Sequence, residues 1–144
     1  LPDLVDDVAT TAQDLAPRLD GLRGAWVAQQ VEMRGGLMVS PGVLPFLRLR
    51  EVVFHHVDLD AGFGFSDVQP DLARRFVDDA VARLRGDEDD LAVELRADEG
   101  DVWTLGRPTA YAHGSLGDLL LWLARRDPRG LRVEGELPGL PRGA

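Results

Sequence analysis

The chain has 144 residues, which is enough for one ordinary domain or two very small ones, and 44% of them are hydrophobic, as in a soluble globular protein. The formal net charge of -9 argues against DNA, RNA or an anionic membrane as a partner, because these ligands are bound through clustered Lys and Arg. The longest apolar run, residues 119–124, is far shorter than the ~20 residues that span a bilayer. No secretory signal opens the sequence, so a cytoplasmic protein is predicted.

The composition contains no cysteine, so disulfides and a cysteine-ligated zinc site are excluded for this chain. Any thiol chemistry must therefore use a sulfur that comes from outside the chain. Lysine, asparagine and isoleucine are absent as well, which indicates a very GC-rich genome. Because the sequence begins at Leu1 rather than at methionine, we expect an upstream segment of the same protein to precede it.

A first helix is predicted over about residues 4–22, because apolar residues recur there at helical spacing. Pro17 should kink or end this helix, since proline lacks a backbone donor. Two short β-capable runs, 26–33 and 37–40, follow on either side of the turn Arg34, Gly35 and Gly36. We therefore expect a small hairpin after the first helix.

Two further helices are predicted in the middle of the chain. One should run over about residues 41–59, because prolines lie in its first turn and glycines follow its end. The other should follow Pro70 and end at Gly86, since apolar residues recur at helical spacing between them. The acidic run Asp87 to Asp90 then favours a solvated turn or linker.

The second half of the chain alternates short β-like segments with one helix, which makes the predicted fold class α+β. Ser115, three residues before Asp118 and ahead of an apolar run, predicts a helix capping box rather than a nucleophile. Glycine interrupts the pattern at residues 61–66, so we expect one domain over 1–62 and a second over 63–144. The predicted elements are strands at 91–97, 102–105, 109–112 and 131–134 and a helix at about 116–126.

The residues most suited to chemistry lie on the second predicted helix. Glu51 and His55 are one turn apart and project from the same face, with Asp58 next along that face. A carboxylate and an imidazole at this spacing can bind one metal ion. They can equally form a structural hydrogen bond or ion pair on the helix surface, and Arg48 or Arg50 could neutralise Glu51 instead, so the spacing leaves both interpretations open.

The other two histidines favour structural roles. His56 projects about 100° away from His55 and has no carboxylate at helical spacing on its own face, so we expect a packed or solvent-facing ring. His113 lies near the end of a predicted strand, where a role in a turn is favoured over metal ligation.

The segment from Pro45 to Gly62 closely resembles the signature helix of the mycothiol-dependent maleylpyruvate isomerase family. The resemblance is carried by the spacing Arg-x-x-Glu-x-x-x-His-x-x-Asp-Leu, which runs from Arg48 to Leu59. The stretch 106–126 is similar to the family's smaller C-terminal α/β domain, which looks like the sterol carrier fold. The resemblance covers essentially the whole chain, and it implies the C-terminal half of a DinB-like, metal-binding helical bundle, with two helices and a hairpin, followed by a small α/β domain.

The resemblance also implies a zinc site to which Glu51 and His55 contribute. The family's third ligand is a histidine on an early bundle helix, and this residue has no counterpart in the chain. Two protein ligands are too few for a catalytic zinc, which normally has three and an open position. We therefore expect this chain alone to bind zinc weakly or not at all and to be inactive without the upstream helices.

The chemistry that the resemblance implies fits a chain without cysteine. Zinc would bind the external thiol mycothiol as thiolate, which would add to the cis double bond of maleylpyruvate and leave after bond rotation to give fumarylpyruvate. An arginine of the second domain would bind the substrate carboxylate, with Arg126 as the candidate and Arg125 as the alternative. The partners implied are a small-molecule substrate, a low-molecular-mass thiol and the missing N-terminal helices.

Three other hypotheses remain open from the sequence. A related enzyme could use the same activated thiol for transfer to another electrophile. A non-catalytic module could bind an apolar ligand or a partner through its α/β domain. Glu51, His55 and Asp58 could also form a purely structural polar cluster.

Overall fold

A computed structural model of the protein describes residues 2–22, 29–33, 36, 38–85 and 91–141. By its internal contacts the chain divides into two compact units, Leu1–His55 and His56–Ala144, which are called unit 1 and unit 2 below. Both helices and strands are present, which confirms the predicted α+β class. The division of the sequence predicted after residue 62 stays a prediction.

Unit 1 consists of helices and a short hairpin, as predicted. The two hairpin strands pair antiparallel, with Val31 opposite Val39, while the predicted turn residues Arg34 and Gly35 lie outside the described residues. No described side chain of either helix is buried. The elements are α1 (Pro2–Asp20), β1 (Val31–Glu32), β2 (Met38–Val39), a 3-10 turn (Pro41–Val43) and α2 (Leu44–Asp58), whose last turn belongs to unit 2.

The sequence predicts that Pro17 kinks or ends α1; an end at Pro17 is wrong, and a kink there stays a prediction. The helix continues to Asp20, and the Pro17 carbonyl accepts a hydrogen bond from the N–H of Gly21 at 3.0 Å. Proline disturbs a helix through the donor it lacks and through contact of its ring with the preceding turn. Its own carbonyl is unaffected, so the last turn of α1 can form beyond it.

Unit 2 contains the helices and strands that the second half of the sequence predicts. The predicted helix end at Gly86 and the acidic run 87–90 lie outside the described residues. The elements are a 3-10 turn (Phe65–Asp67), α3 (Pro70–Leu84), β3 (Val93–Ala97), β4 (Val102–Leu105), β5 (Ala110–Gly114), α4 (Leu116–Arg125) and β6 (Arg132–Glu134).

The four strands of unit 2 form one sheet in the order β4-β3-β5-β6. β3 pairs antiparallel with β4 and parallel with β5, and β6 is antiparallel to β5. Alternate residues of β3, β4 and β5 are buried on the face that contacts α3 and α4, the opposite face is accessible to solvent, and all three residues of β6 are exposed. The largest fully buried core side chains include Phe76, Leu84, Leu95, Leu105, Leu116, Leu119, Leu120 and Leu123.

The capping box predicted at the start of α4 is confirmed. The Ser115 hydroxyl accepts a hydrogen bond from the N–H of Asp118, and the Asp118 carboxylate accepts one from the N–H of Ser115, each at 3.1 Å. The carboxylate of Glu99 accepts from the N–H of Leu116, also at 3.1 Å. Side chains therefore satisfy several of the backbone donors that a helix leaves unpaired in its first turn.

Candidate metal centre

Helix α2 brings Glu51 and His55 together, as their spacing predicts. Glu51 Oε2 lies 3.6 Å from His55 Nε2, and the two side chains are 52% and 74% exposed. The separation follows from helix geometry, because residues four apart are neighbours on one face. Both donor atoms are therefore accessible from the same side of the helix.

The separation of the two donor atoms fits coordination of one zinc ion. Zinc lies about 2.1 Å from histidine nitrogen and from carboxylate oxygen, and tetrahedral geometry then places two donors about 3.4 Å apart. Within residues 2–22, 29–33, 36, 38–85 and 91–141, no group of three or more His, Asp or Glu side chains could hold a metal ion. In the described part of the chain, Glu51 and His55 are therefore a pair of candidate donors rather than a complete metal site.

The second oxygen of Glu51 contacts an arginine. Arg50 Nη2 lies 3.3 Å from Glu51 Oε1, whereas His55 is paired with Glu51 Oε2. The Arg50 side chain is only 16% exposed. One carboxylate oxygen is therefore held by a guanidinium while the other faces the imidazole. Such a contact orients a metal-binding carboxylate, and it is also what a purely structural ion pair would show.

Asp58, the third polar residue on this face of α2, binds a guanidinium within unit 2. Asp58 Oδ1 lies 2.7 Å from both Nε and Nη2 of Arg125. The Arg125 guanidinium also lies 6.0 Å from the centroid of the Phe65 ring. This ion pair joins the last turn of α2 to the C-terminal end of α4.

The structure assigns different surroundings to the remaining histidines. His56 stacks on Phe63 with ring centroids 4.4 Å apart and planes 7° apart and is exposed, in agreement with the expected packed or solvent-facing ring. His113 lies within β5 rather than in a turn, so that prediction is wrong, and its Nε2 lies 3.0 Å from Asp98 Oδ1. The strand continues to Gly114 because that residue pairs with Ala97 of the parallel strand β3, a contact that local sequence does not reveal.

Arg126, the candidate for binding a substrate carboxylate, follows α4 in the left-handed backbone region, with φ 61° and ψ 24°. Its Nε donates a hydrogen bond to the carbonyl of Leu140 at 3.3 Å, and its Nη2 donates to the carbonyl of Pro141. The guanidinium therefore holds the segment that follows β6.

The sequence did not predict the cavities of either unit. In unit 1, Glu51 borders a cavity of about 320 Å³ whose other lining residues are mostly apolar side chains of α1 and α2. In unit 2, an open polar cavity of about 460 Å³ lies on the accessible face of the sheet. The alternation of charged and apolar residues in β3 and β5 could have indicated a polar face, but not which side chains share it.

The fold is similar to that of two solved structures. One is mycothiol-dependent maleylpyruvate isomerase and the other is a histidine-to-alanine mutant of mycothiol-dependent maleylpyruvate isomerase; each has a TM-score of 0.71 and 24% sequence identity. The chain shares their fold. The similarity covers 83% of this chain and 51% of each of the others, so the chain spans about half their length.

The similarity confirms, at the level of the fold, the resemblance that the α2 segment indicated. No family model matches the chain, and no curated protein matches it in sequence. Among the described residues, no helix combines the length and the apolar character that crossing a membrane requires.

Proposed function

We propose that the protein is a cytoplasmic, zinc- and mycothiol-dependent cis-trans isomerase of the maleylpyruvate isomerase type, in which Glu51 and His55 are two of the zinc ligands. The observation that carries the proposal is the 3.6 Å separation of Glu51 Oε2 and His55 Nε2 on one accessible helix face. The shared fold with mycothiol-dependent maleylpyruvate isomerase supports the choice of reaction.

The third ligand is proposed to come from upstream helices of the same protein. Apolar side chains of unit 1 are largely accessible, with Leu4, Val5 and Val8 of α1 each more than 60% exposed and Val52 of α2 48% exposed. A groove of about 490 Å³ between the two helices is lined mostly by apolar residues. Apolar helix faces are normally buried against other helices, and the similar structures are about twice as long as this chain.

At the proposed site, Glu51 and His55 are metal ligands and Arg50 orients the Glu51 carboxylate. His55 and Glu51 Oε2 would hold the zinc ion, while Arg50 keeps Glu51 Oε1 engaged and thereby limits rotation of the carboxylate. Bound zinc would hold the sulfur of mycothiol as thiolate, supplying the nucleophile that a chain without cysteine lacks.

Arg126 is proposed to bind the substrate carboxylate. A guanidinium has five donors in a planar fork that matches a carboxylate. Substrate binding through this fork would require Arg126 to exchange the carbonyls of Leu140 and Pro141 for carboxylate oxygens. In the intact protein, Arg126→Gln should raise the KM for maleylpyruvate more than Arg125→Gln does, because Arg125 is held by Asp58.

The experiment that tests the proposal measures zinc content and mycothiol-dependent isomerisation in the intact protein. We expect one zinc per chain in the wild type, and loss of both zinc and activity in His55→Ala, because a lost ligand removes the Lewis acid. His56→Ala is the matched control. Its ring stacks on Phe63 and leaves α2 on another face, so zinc content and activity should be retained.

Each other outcome selects a different conclusion. Full isomerisation by metal-free His55→Ala protein would refute the mechanism, and equal damage from His56→Ala would mean that the wrong histidine is assigned. Zinc-dependent transfer of mycothiol to another electrophile, without isomerisation, would identify a related thiol transferase. An intact protein that binds no zinc would favour a non-catalytic, ligand-binding or partner-binding module with a structural cluster at Glu51.

A further inference from the structure

The accessible face of the unit 2 sheet carries two rows of polar side chains across three strands. The pairing of β3 with β5 and of β5 with β6 places Arg96, His113 and Arg132 opposite one another, and these form the basic row. The acidic row lies two residues away on each strand, where the same pairings place Glu94, Tyr111 and Glu134 opposite one another.

Both rows border one cavity. The open cavity of about 460 Å³ is lined by all three members of the basic row and by Tyr111, Val133 and Glu134. Tyr111 is 37% exposed, and the centroid of its ring lies 5.4 Å from the guanidinium carbon of Arg96. The cavity therefore has a cationic side, an anionic side and an aromatic ring between them.

The basic row already holds one carboxylate. Asp98 Oδ1 lies 2.6 Å from Arg132 Nη2 and 3.0 Å from His113 Nε2, so two members of the row converge on a single anionic oxygen. Arg132 has five N–H donors and its side chain is 63% exposed. The guanidinium can bind a second carboxylate without releasing Asp98.

The acidic row contains a carboxylate that lacks a cation. Glu94 binds Arg96 at 2.6 Å, which neutralises both. Among the residues that the structure describes, the Glu134 carboxylate has no ion-pair or hydrogen-bond partner, yet Glu134 borders the cavity. A ligand that places a cationic group beside Glu134 would complete the charge pattern.

We infer that this cavity binds a small zwitterion, with its carboxylate against Arg132 and its ammonium group against Glu134. The rows are two residues apart along the strands, a distance of about 7 Å. An extended dipeptide has about this length between its ends. The inference rests on unit 2 alone and is independent of the zinc proposal.

Titration of the full chain with L-alanyl-L-alanine, followed by protein NMR chemical shifts, tests the inference. We expect saturable binding in the millimolar range, with shifts at β5 and β6, because exposed ion pairs are individually weak. N-acetyl-alanyl-alanine lacks the ammonium group and alanyl-alaninamide lacks the carboxylate. Each should bind about fivefold more weakly, as expected for loss of one accessible ion pair.

Variants test separately the binding of the ligand's carboxylate by Arg132 and of its ammonium group by Glu134. Arg132→Gln and Glu134→Gln should each weaken dipeptide binding about fivefold, whereas Arg107→Gln and Glu136→Gln, exposed charges of the same unit outside the cavity lining, should leave it unchanged. Glu134→Gln should not alter binding of the acetylated dipeptide, since that ligand has no cation to lose.

The inference is overturned if the dipeptide does not bind saturably, or if the control variants weaken binding as much as the cavity variants do. It is also overturned if Glu134→Gln affects the acetylated and the free dipeptide equally. For each variant, an NMR spectrum that matches the wild-type spectrum outside β5 and β6 shows that the fold is retained. Arg132→Lys keeps the positive charge and should therefore bind the dipeptide more tightly than Arg132→Gln does.

Discussion

Replacing Ser115 with alanine is the sharpest test of how α4 begins. The hydroxyl accepts from the N–H of Asp118 at 3.1 Å and donates to Asp118 Oδ2 at 2.6 Å, and the change removes both contacts. The Asp118 carboxylate still accepts from the N–H of residue 115, and Glu99 still accepts from the N–H of Leu116. We therefore expect a loss of about 1 kcal/mol of unfolding free energy, below the ~2 kcal/mol upper limit for caps.

Urea unfolding of the full chain, followed by far-UV circular dichroism, measures this loss as a lower midpoint with an unchanged slope. Ser40→Ala is the matched control. Ser40 also precedes a short helix, but its side chain makes no capping hydrogen bond, so its replacement should leave the midpoint nearly unchanged. An unchanged midpoint for Ser115→Ala would refute the capping argument. Loss of turnover in the intact protein at unchanged stability would instead make Ser115 a catalytic group.

Three further predictions concern unit 2. Phe76→Ala should cost about 3–5 kcal/mol in urea unfolding, because Phe76 is fully buried in the core. Trp103→Phe should cost about 1 kcal/mol in the same assay, since it removes the 2.7 Å hydrogen bond from Trp103 Nε1 to Asp78 Oδ1. The side-chain and backbone hydrogen bonds from Arg129 lower the pKa of Asp127, so Arg129→Gln should raise that pKa in an NMR titration. Because the pKa of Asp127 is lower in the folded protein, Asp127 contributes stability above its ordinary pKa. This contribution is lost as the pH falls through the folded pKa. Arg129→Gln should therefore make the loss of stability at acid pH smaller.

The elements themselves could be predicted from the sequence because their signals are local. The helical spacing after Pro70 predicted α3, and the start of α4 followed from Ser115 and Asp118. The proximity of Glu51 and His55 could also be predicted from a local signal. Two side chains four residues apart on a helix must lie close together, whatever surrounds the helix.

The sequence did not determine what these residues contact across the fold. The parallel pairing of β3 with β5 joins strands that are separated by β4, and together with the pairing of β5 with β6 it aligns the basic row. The carbonyls that bind Arg126 and the guanidinium that binds Asp58 likewise come from distant segments.

What the sequence by itself determined is therefore where helices and strands form and which residues share a helix face, because φ/ψ preferences and side-chain periodicity act over a few residues. What only the tertiary structure decided is strand order, register and the partner of each charged side chain. Those depend on burying apolar faces together and on pairing backbone groups between segments far apart in the chain. A pattern read along one segment contains no information about the segment it will meet.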